Sequence, residues 1–221
     1  MTRELFHREL TRLQDEVLVM GSMVEKAILD SLQALRDGDA GSSQRIVDED
    51  SRINAKRFEI EDQCIFVVAS QQPMASDLRM LASILYIITD LERIADHAEG
   101  IARINLMMSD EPLPRRLGYI PAMADRAVAM LRDSLKAFIE RDVESARQIC
   151  NADVEVDRLQ DAVYEESFKA MLADPSTIQR NTYLLWTAHN LERIADRCTN
   201  ICERVIYQVT GRMQEINVSK Y

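Results

Sequence analysis

The hexapeptide LERIAD occurs twice, at residues 91–96 and again at 191–196. Six identities in register, followed by HAEGIARI in one copy and RCTNICERV in the other, mark an internal duplication, so one folding solution is used twice along the chain. The flanks agree. Gln72-Pro73 interrupts the chain before the first copy and Asp174-Pro175 before the second, and each proline restricts its predecessor and ends a helix there. The run Asp37-Gly38-Asp39-Ala40-Gly41 reads as a helix stop and loop, and a shorter break falls near Arg141-Asp142. SDEPLPRRLGYIP, from Ser109 to Pro121, holds three of the five prolines and has no helical period, which makes it a linker.

These punctuation marks leave six long helices, expected at 4–36, 43–71 and 76–108, then 119–140, 143–173 and 176–210. Scarce glycine and proline, 6 and 5 in 221 residues, favour continuous helix over sheet. The expected fold is therefore all-α, two tandem pseudo-symmetric three-helix bundles of long antiparallel helices, with residues 1–110 as the first repeat and 119–221 as the second.

Stepping about 100° per residue along the repeated helix separates two faces. Leu91, Ile94, Ala95, Ala98, Ile101 and Ala102 form an apolar arc, matched by Leu191, Ile194, Ala195, Cys198, Ile201 and Cys202. Glu92 and Asp96 stand outside the first arc, with Glu99 beside them, and Glu192 and Asp196 stand outside the second. The preceding helices carry Asp50 with Asn54 and Asp153 with Asp157 at the same i,i+4 spacing. Antiparallel helices place residues equidistant from their turn side by side. A turn centred near 174–175 sets Glu192 opposite Asp157 and Asp196 opposite Asp153, and one near 73–74 sets Asp96 near Asp50 and Glu92 near Asn54.

Such converging carboxylates repel by several kcal/mol at intermediate dielectric, roughly, and call for protons, arginines or a cation. Oxygen donors favour a hard or borderline ion, iron, manganese, magnesium, calcium or zinc. The plain alternative is a solvated acidic face balanced locally by Arg93 and Arg193. A carboxylate-based metalloenzyme and a metal-free helical tether remain competing readings, although no nucleophile with a partnering acid is evident.

The stretches QQPMASDLRMLASILYIITDLERIADHAEGIA (71–102) and YLLWTAHNLERIADRCTNICERVIYQVTG (183–211) resemble the PhoU family through both halves. The resemblance implies a two-bundle helical, non-enzymatic protein whose acidic pairs, Glu92/Asp96, Glu192/Asp196 and Asp153/Asp157, with Asp50/Asn54 the weaker match, are metal sites in some members. It implies a negative regulator of phosphate uptake and phosphate-starvation signalling, an adaptor between the ATPase of a phosphate ABC transporter and a sensor histidine kinase, and commonly a homodimer. Arg79, in the QPxASDLR entry, would contact a partner. The first copy departs from the family pattern at Gly100, where the second has Asn200, and His97 becomes Arg197; this weakens metal binding at the first site and puts a positive charge beside the second.

A net charge of −10 opposes binding to nucleic acid or anionic lipid. No apolar run is long enough to span a membrane and the start MTRELFHREL lacks a signal-peptide core, so a cytoplasmic protein that meets the membrane only through partners is expected. Cys64, Cys150, Cys198 and Cys202 then stay reduced; the last two match Ala98 and Ala102 in the repeat and read as small core residues, and Cys64 and Cys150 read as isolated core residues. Ser76 is the expected N-cap of the third helix, and His97 an exposed histidine.

Overall fold

The structure is a computed structural model and describes residues 3–108 and 118–216. Six helices make up nearly all of it: α1 (Arg3–Asp37), α2 (Ala40–Gln71), α3 (Ser76–Met107), α4 (Ile120–Glu140), α5 (Val143–Ala173) and α6 (Ile178–Thr210), with one 3₁₀ turn at Pro175–Thr177. The expected linker lies outside the described residues up to position 117; its last residues form the turn into α4, with Pro121 in the first helical turn, where a missing N–H costs nothing.

The duplication extends to the turns. Asp39 caps α2 by accepting from the Ser42 N–H and hydroxyl, and Asp142 caps α5 by accepting from the N–H of Glu144 and Ser145 and from the Ser145 hydroxyl. The first cap starts α2 three residues earlier than expected: Gly38, at φ +66°, makes the turn, while Gly41 already sits inside the helix. Gln72 closes α2 in the left-handed region, its N–H bonded to the Val68 carbonyl. Ser76 is not the N-cap of α3. Ala75 holds that position at φ 48° with no side-chain cap, and Ser76 is the first helical residue. Asp174 accepts from the Ser176 N–H, and this bond winds the 3₁₀ turn that delays α6 by two residues.

Helices α1–α3 pack on one another, as do α4–α6, but the halves do not keep separate interiors. α3 lies against α6 in one of the two most extensive helix interfaces of the molecule, α1 touches α4, and one continuous apolar cluster draws on all six helices. α2 and α5 meet only their own half and flank the structure. A Cβ at Gly21 would run into Leu135 Cδ1, so this mid-helix glycine is what lets α1 approach α4; Glu25 and Arg132 bridge the same pair of helices. The expected apolar arcs of α3 and α6 are buried.

All four cysteines are buried free thiols, as core residues should be. Cys150 is not isolated, however: its thiol donates to the Thr199 carbonyl at 3.9 Å and neighbours that of Cys202 across α5 and α6. Among the described residues no helix is long and apolar enough to cross a membrane.

Candidate functional site

The acidic residues meet where each flanking helix lies against its repeated helix. In the second half Glu192 is the focus, with its side chain 15% exposed. Burial, reinforced by the negative charges of Asp196, Asp157 and Asp153 and opposed by Arg193, pushes its carboxyl up to about 7. Asp153 and Asp157 come from α5 and Asp196 from α6, so both helices contribute negative charge to the surroundings of Glu192. Asp153 itself is buried.

In the first half Asp50 is the focus. Burial first, then Glu99, Asp96 and Glu92, raises its carboxyl above the usual carboxylate range, while a hydrogen bond donated by Asn54 Nδ2 at 2.8 Å pulls the other way. Asn54 thus relieves with a hydrogen bond what the matching Asp157 aggravates with a charge. Glu92 Oε2 is buried without a hydrogen-bond donor, and its nearest cation is Arg93 Nε at 3.5 Å.

The arginine inside each LERIAD copy turns to the aspartate three residues on. Arg93 binds Asp96 at 3.1 Å and Arg193 binds Asp196 at 2.5 Å, which neutralises the outer acid of each pair. With these pairs made, among the described residues no three His, Cys, Asp or Glu side chains stand close enough together to hold an ion. The donor chemistry still suits a hard cation. All candidate donors are oxygens, and an ion at the second site would offset the like charges that add to the effect of burial on Glu192. Asp196 would have to exchange Arg193 for the ion.

A second group of residues lies in the seam between α3 and α6, a contact that the sequence reading did not anticipate. Arg79 Nε reaches the Gln208 carbonyl, the Ser83 hydroxyl donates to the Arg204 carbonyl, Asp90 accepts from Arg197 and Asn200, and His97 Nδ1 pairs with Asn190 Oδ1 at 3.0 Å. The order of these pairs shows that α3 and α6 run antiparallel, so an approximate two-fold axis relating the repeats passes near Arg93 and Arg193. Such an axis makes each contact occur twice with roles exchanged. Asp90 of the first copy meets Arg197 and Asn200 of the second, while Asn190 of the second meets His97 and Gly100 of the first.

The two departures noted in the sequence are therefore one exchange. A charged trio sits on one side of the axis and a neutral trio on the other. A Cβ at Gly100 would lie 2.9 Å from Asn190 Oδ1, so the residue opposite Asn190 must be small. His97 is half-buried in this contact, not exposed, and burial lowers its pKa, with Arg197, Arg193 and His189 adding to the effect against the Asn190 bond. Burial also raises the Asp90 carboxyl against the pull of Asn200 and Arg197. Arg79 lies over the last turn of α6, beside Gly211, where a cation meets the negative end of the helix. The seam was signalled in the sequence by residue differences at equivalent positions of the repeat, which carry meaning only once the two copies are known to face each other.

A duplicated six-helix protein with an acidic pair on each repeated helix and a polar seam between the copies belongs with helical binding and regulatory proteins. The match is specific: residues 17–104 and 120–205 each fit the PhoU domain, and the chain belongs to the PhoU family. It is 38% identical over 98% of its length to the whole of a phosphate-specific transport system accessory protein PhoU homolog of Clostridium acetobutylicum. It is 33% identical to the Escherichia coli K12 accessory protein PhoU over 94% of this chain and 86% of that one. The crystal structure of PhoU from Pseudomonas aeruginosa superimposes with a TM-score of 0.87 at 35% identity, covering 94% of this chain and 100% of that one. The phosphate transport system regulatory protein PhoU from Streptococcus pneumoniae superimposes with a TM-score of 0.88 at 32% identity, covering 95% and 99%.

Proposed function

We propose that this protein regulates phosphate transport by binding, as an accessory of a phosphate transport system, and that it does so from the cytoplasm without catalysing a reaction. The observation that carries the reading is the near full-length similarity to proteins named for that role, together with a pair of acidic sites at equivalent places in the two repeats. The partners in this reading are the ATPase subunit of a phosphate ABC transporter and a phosphate-sensing histidine kinase, with Arg79, Arg93 and Arg193 among the contact residues, and the protein acts as a homodimer. The arginine-held aspartates favour binding over turnover, because each site's charges are spent on neighbours and do not converge on one reacting point.

In the same reading the Asp153, Asp157, Glu192 and Asp196 set takes up a divalent cation, and the Asp50, Asn54, Glu92 and Asp96 set does so more weakly. Deletion of the gene and capture of the transporter ATPase and the kinase from phosphate-replete cells test the function. Loss of repression of phosphate uptake, and recovery of either partner with the protein, are expected. Unchanged phosphate-responsive transcription and no association with either partner would reject it.

A further inference from the structure

A pair of thiols spans two helices in the second half and has no counterpart in the first. Cys150 of α5 and Cys202 of α6 are both fully buried. The Cys150 thiol donates to the Thr199 carbonyl at 3.9 Å, so it lies on the backbone of α6 one turn before Cys202, whose thiol neighbours it. Aligning Asp50 with Asp153, and the two LERIAD copies with each other, puts Val47 and Ala102 at the same places in the first half. That half packs α2 on α3 without sulfur there, so folding does not require the two thiols. The other cysteines are placed differently. Cys198 turns its thiol onto its own helix, donating to the Ile194 carbonyl at 3.2 Å, and Cys64 belongs to α2.

The chain that follows α6 crosses the same two helices at the level of the thiols. Arg147 Nη2 of α5 donates to Gln214 Oε1 at 3.2 Å, and the Ile216 N–H donates to Glu203 Oε1 of α6 at 2.9 Å. Arg147 lies one turn before Cys150, and Glu203 directly follows Cys202. Residues 212–216 therefore form a strap over the α5–α6 groove, and Ile216 packs partly buried against the core. A segment held by a few surface hydrogen bonds and one half-covered side chain opens at far lower cost than the helices beneath it. The closed strap keeps both sulfurs from solvent, and its opening gives a small reagent its way in.

We propose that Cys150 and Cys202 are a reversible oxidation site, joined as a disulfide by a small hydroperoxide that enters when residues 212–216 lift. The Cys202 thiol beside it lowers the Cys150 pKa against the opposing pull of burial, so Cys150 is the attacking sulfur. Its thiolate attacks one peroxide oxygen; the S–O bond forms, the O–O bond breaks, and hydroxide leaves and takes up the thiol proton as water. Cys202 then attacks the sulfenic sulfur, forming the S–S bond and releasing the second water. Two thiols and one hydrogen peroxide thus become one disulfide and two waters. The cross-link ties α5 to α6 one turn from Asp153. The proposal concerns this chain's own sulfur chemistry and does not depend on the regulatory reading above.

The reduced full chain is treated with hydrogen peroxide under native conditions, quenched, unfolded and alkylated, and then weighed and peptide-mapped by mass spectrometry. The four free thiols are expected to fall to two, with loss of the mass of two hydrogens and a Cys150–Cys202 cross-linked peptide. Dithiothreitol should return all four. Cys150→Val and Cys202→Ala, which copy the first half and should keep the wild-type circular dichroism, are each expected to retain their remaining thiols through the same treatment. Ile216→Ala loosens the strap and is expected to speed the reaction about fivefold. Four unreacted thiols, an oxygen adduct that dithiothreitol does not remove, a disulfide between other cysteines or between two chains, or an Ile216→Ala rate equal to the wild type's would each overturn the proposal. The chemistry is read without cells, so its failure leaves the regulatory role untouched.

Discussion

The two halves share a backbone plan and differ in how they treat charge. In the second half burial, with the charges of Asp196, Asp157 and Asp153 and against Arg193, raises the Glu192 carboxyl to about 7. The first half substitutes Asn54 for the matching aspartate, and its amide donates to Asp50. In the seam the charged trio Asp90, Arg197 and Asn200 faces a neutral trio of Asn190, His97 and Gly100. Duplication kept the packing, which both halves need, and let the polar positions diverge, which neither core depends on.

The seam gives the largest test. Asp90→Ala leaves Arg197 facing a half-buried seam without its carboxylate and is expected to cost about 3 kcal/mol in urea unfolding, whereas Asn190→Ala on the neutral side should cost about 1 kcal/mol. Equal losses at both positions would remove the asymmetry.

Acidic-site titration comes next. Glu192 binds its proton more tightly folded than unfolded, since its carboxyl is raised from 4.5 to about 7. Its contribution to stability is therefore full below about pH 4.5 and is lost as pH rises toward 7. Glu192→Gln should flatten that fall and leave the protein more stable at pH 8 by roughly 1–2 kcal/mol, after discounting for solvent screening.

Asn54→Asp sharpens the comparison by giving the first half the second half's donor set. It should destabilise the protein by about 1 kcal/mol at pH 8 without divalent cations, and millimolar Mg²⁺ or Mn²⁺ should restore the melting temperature. Asp157→Asn should do the reverse in the second half and abolish any stabilisation by cation there. The smallest effects are expected where the halves agree: Asp39→Ala and Asp142→Ala remove equivalent N-caps, and each should lower stability by a similar amount, somewhat under about 1 kcal/mol.

Much of the fold could be read from the chain because prolines, glycines and the repeat punctuate it. The ends of α2, α5 and α6, set by Gln72, Asp174 and Gly211, follow from local backbone chemistry. The start of α2 was missed because a glycine next to a capping aspartate looks like loop, and the capping bond from Ser42 settles it as helix. The convergence of Asp153 and Asp157 on Glu192 followed from mirror placement about one turn, which needs no knowledge beyond antiparallel packing. The seam did not follow. Nothing local says that α3 lies on α6, so His97 reads as an exposed histidine in the sequence, and nothing there singles out Asp90 or Asn190. Arg93 and Arg193 were legible as balancing charges, and the structure gives each a specific aspartate.

What sets the second half apart is how far its carboxylate surroundings lift Glu192. Side-chain carboxyl NMR of ¹³C-labelled protein, titrated from pH 4 to 9 with and without Mg²⁺, reads that position directly. The expected result is a Glu192 midpoint near 7 that falls when Mg²⁺ is added. A midpoint near the ordinary glutamate value, unmoved by the cation, would contradict it.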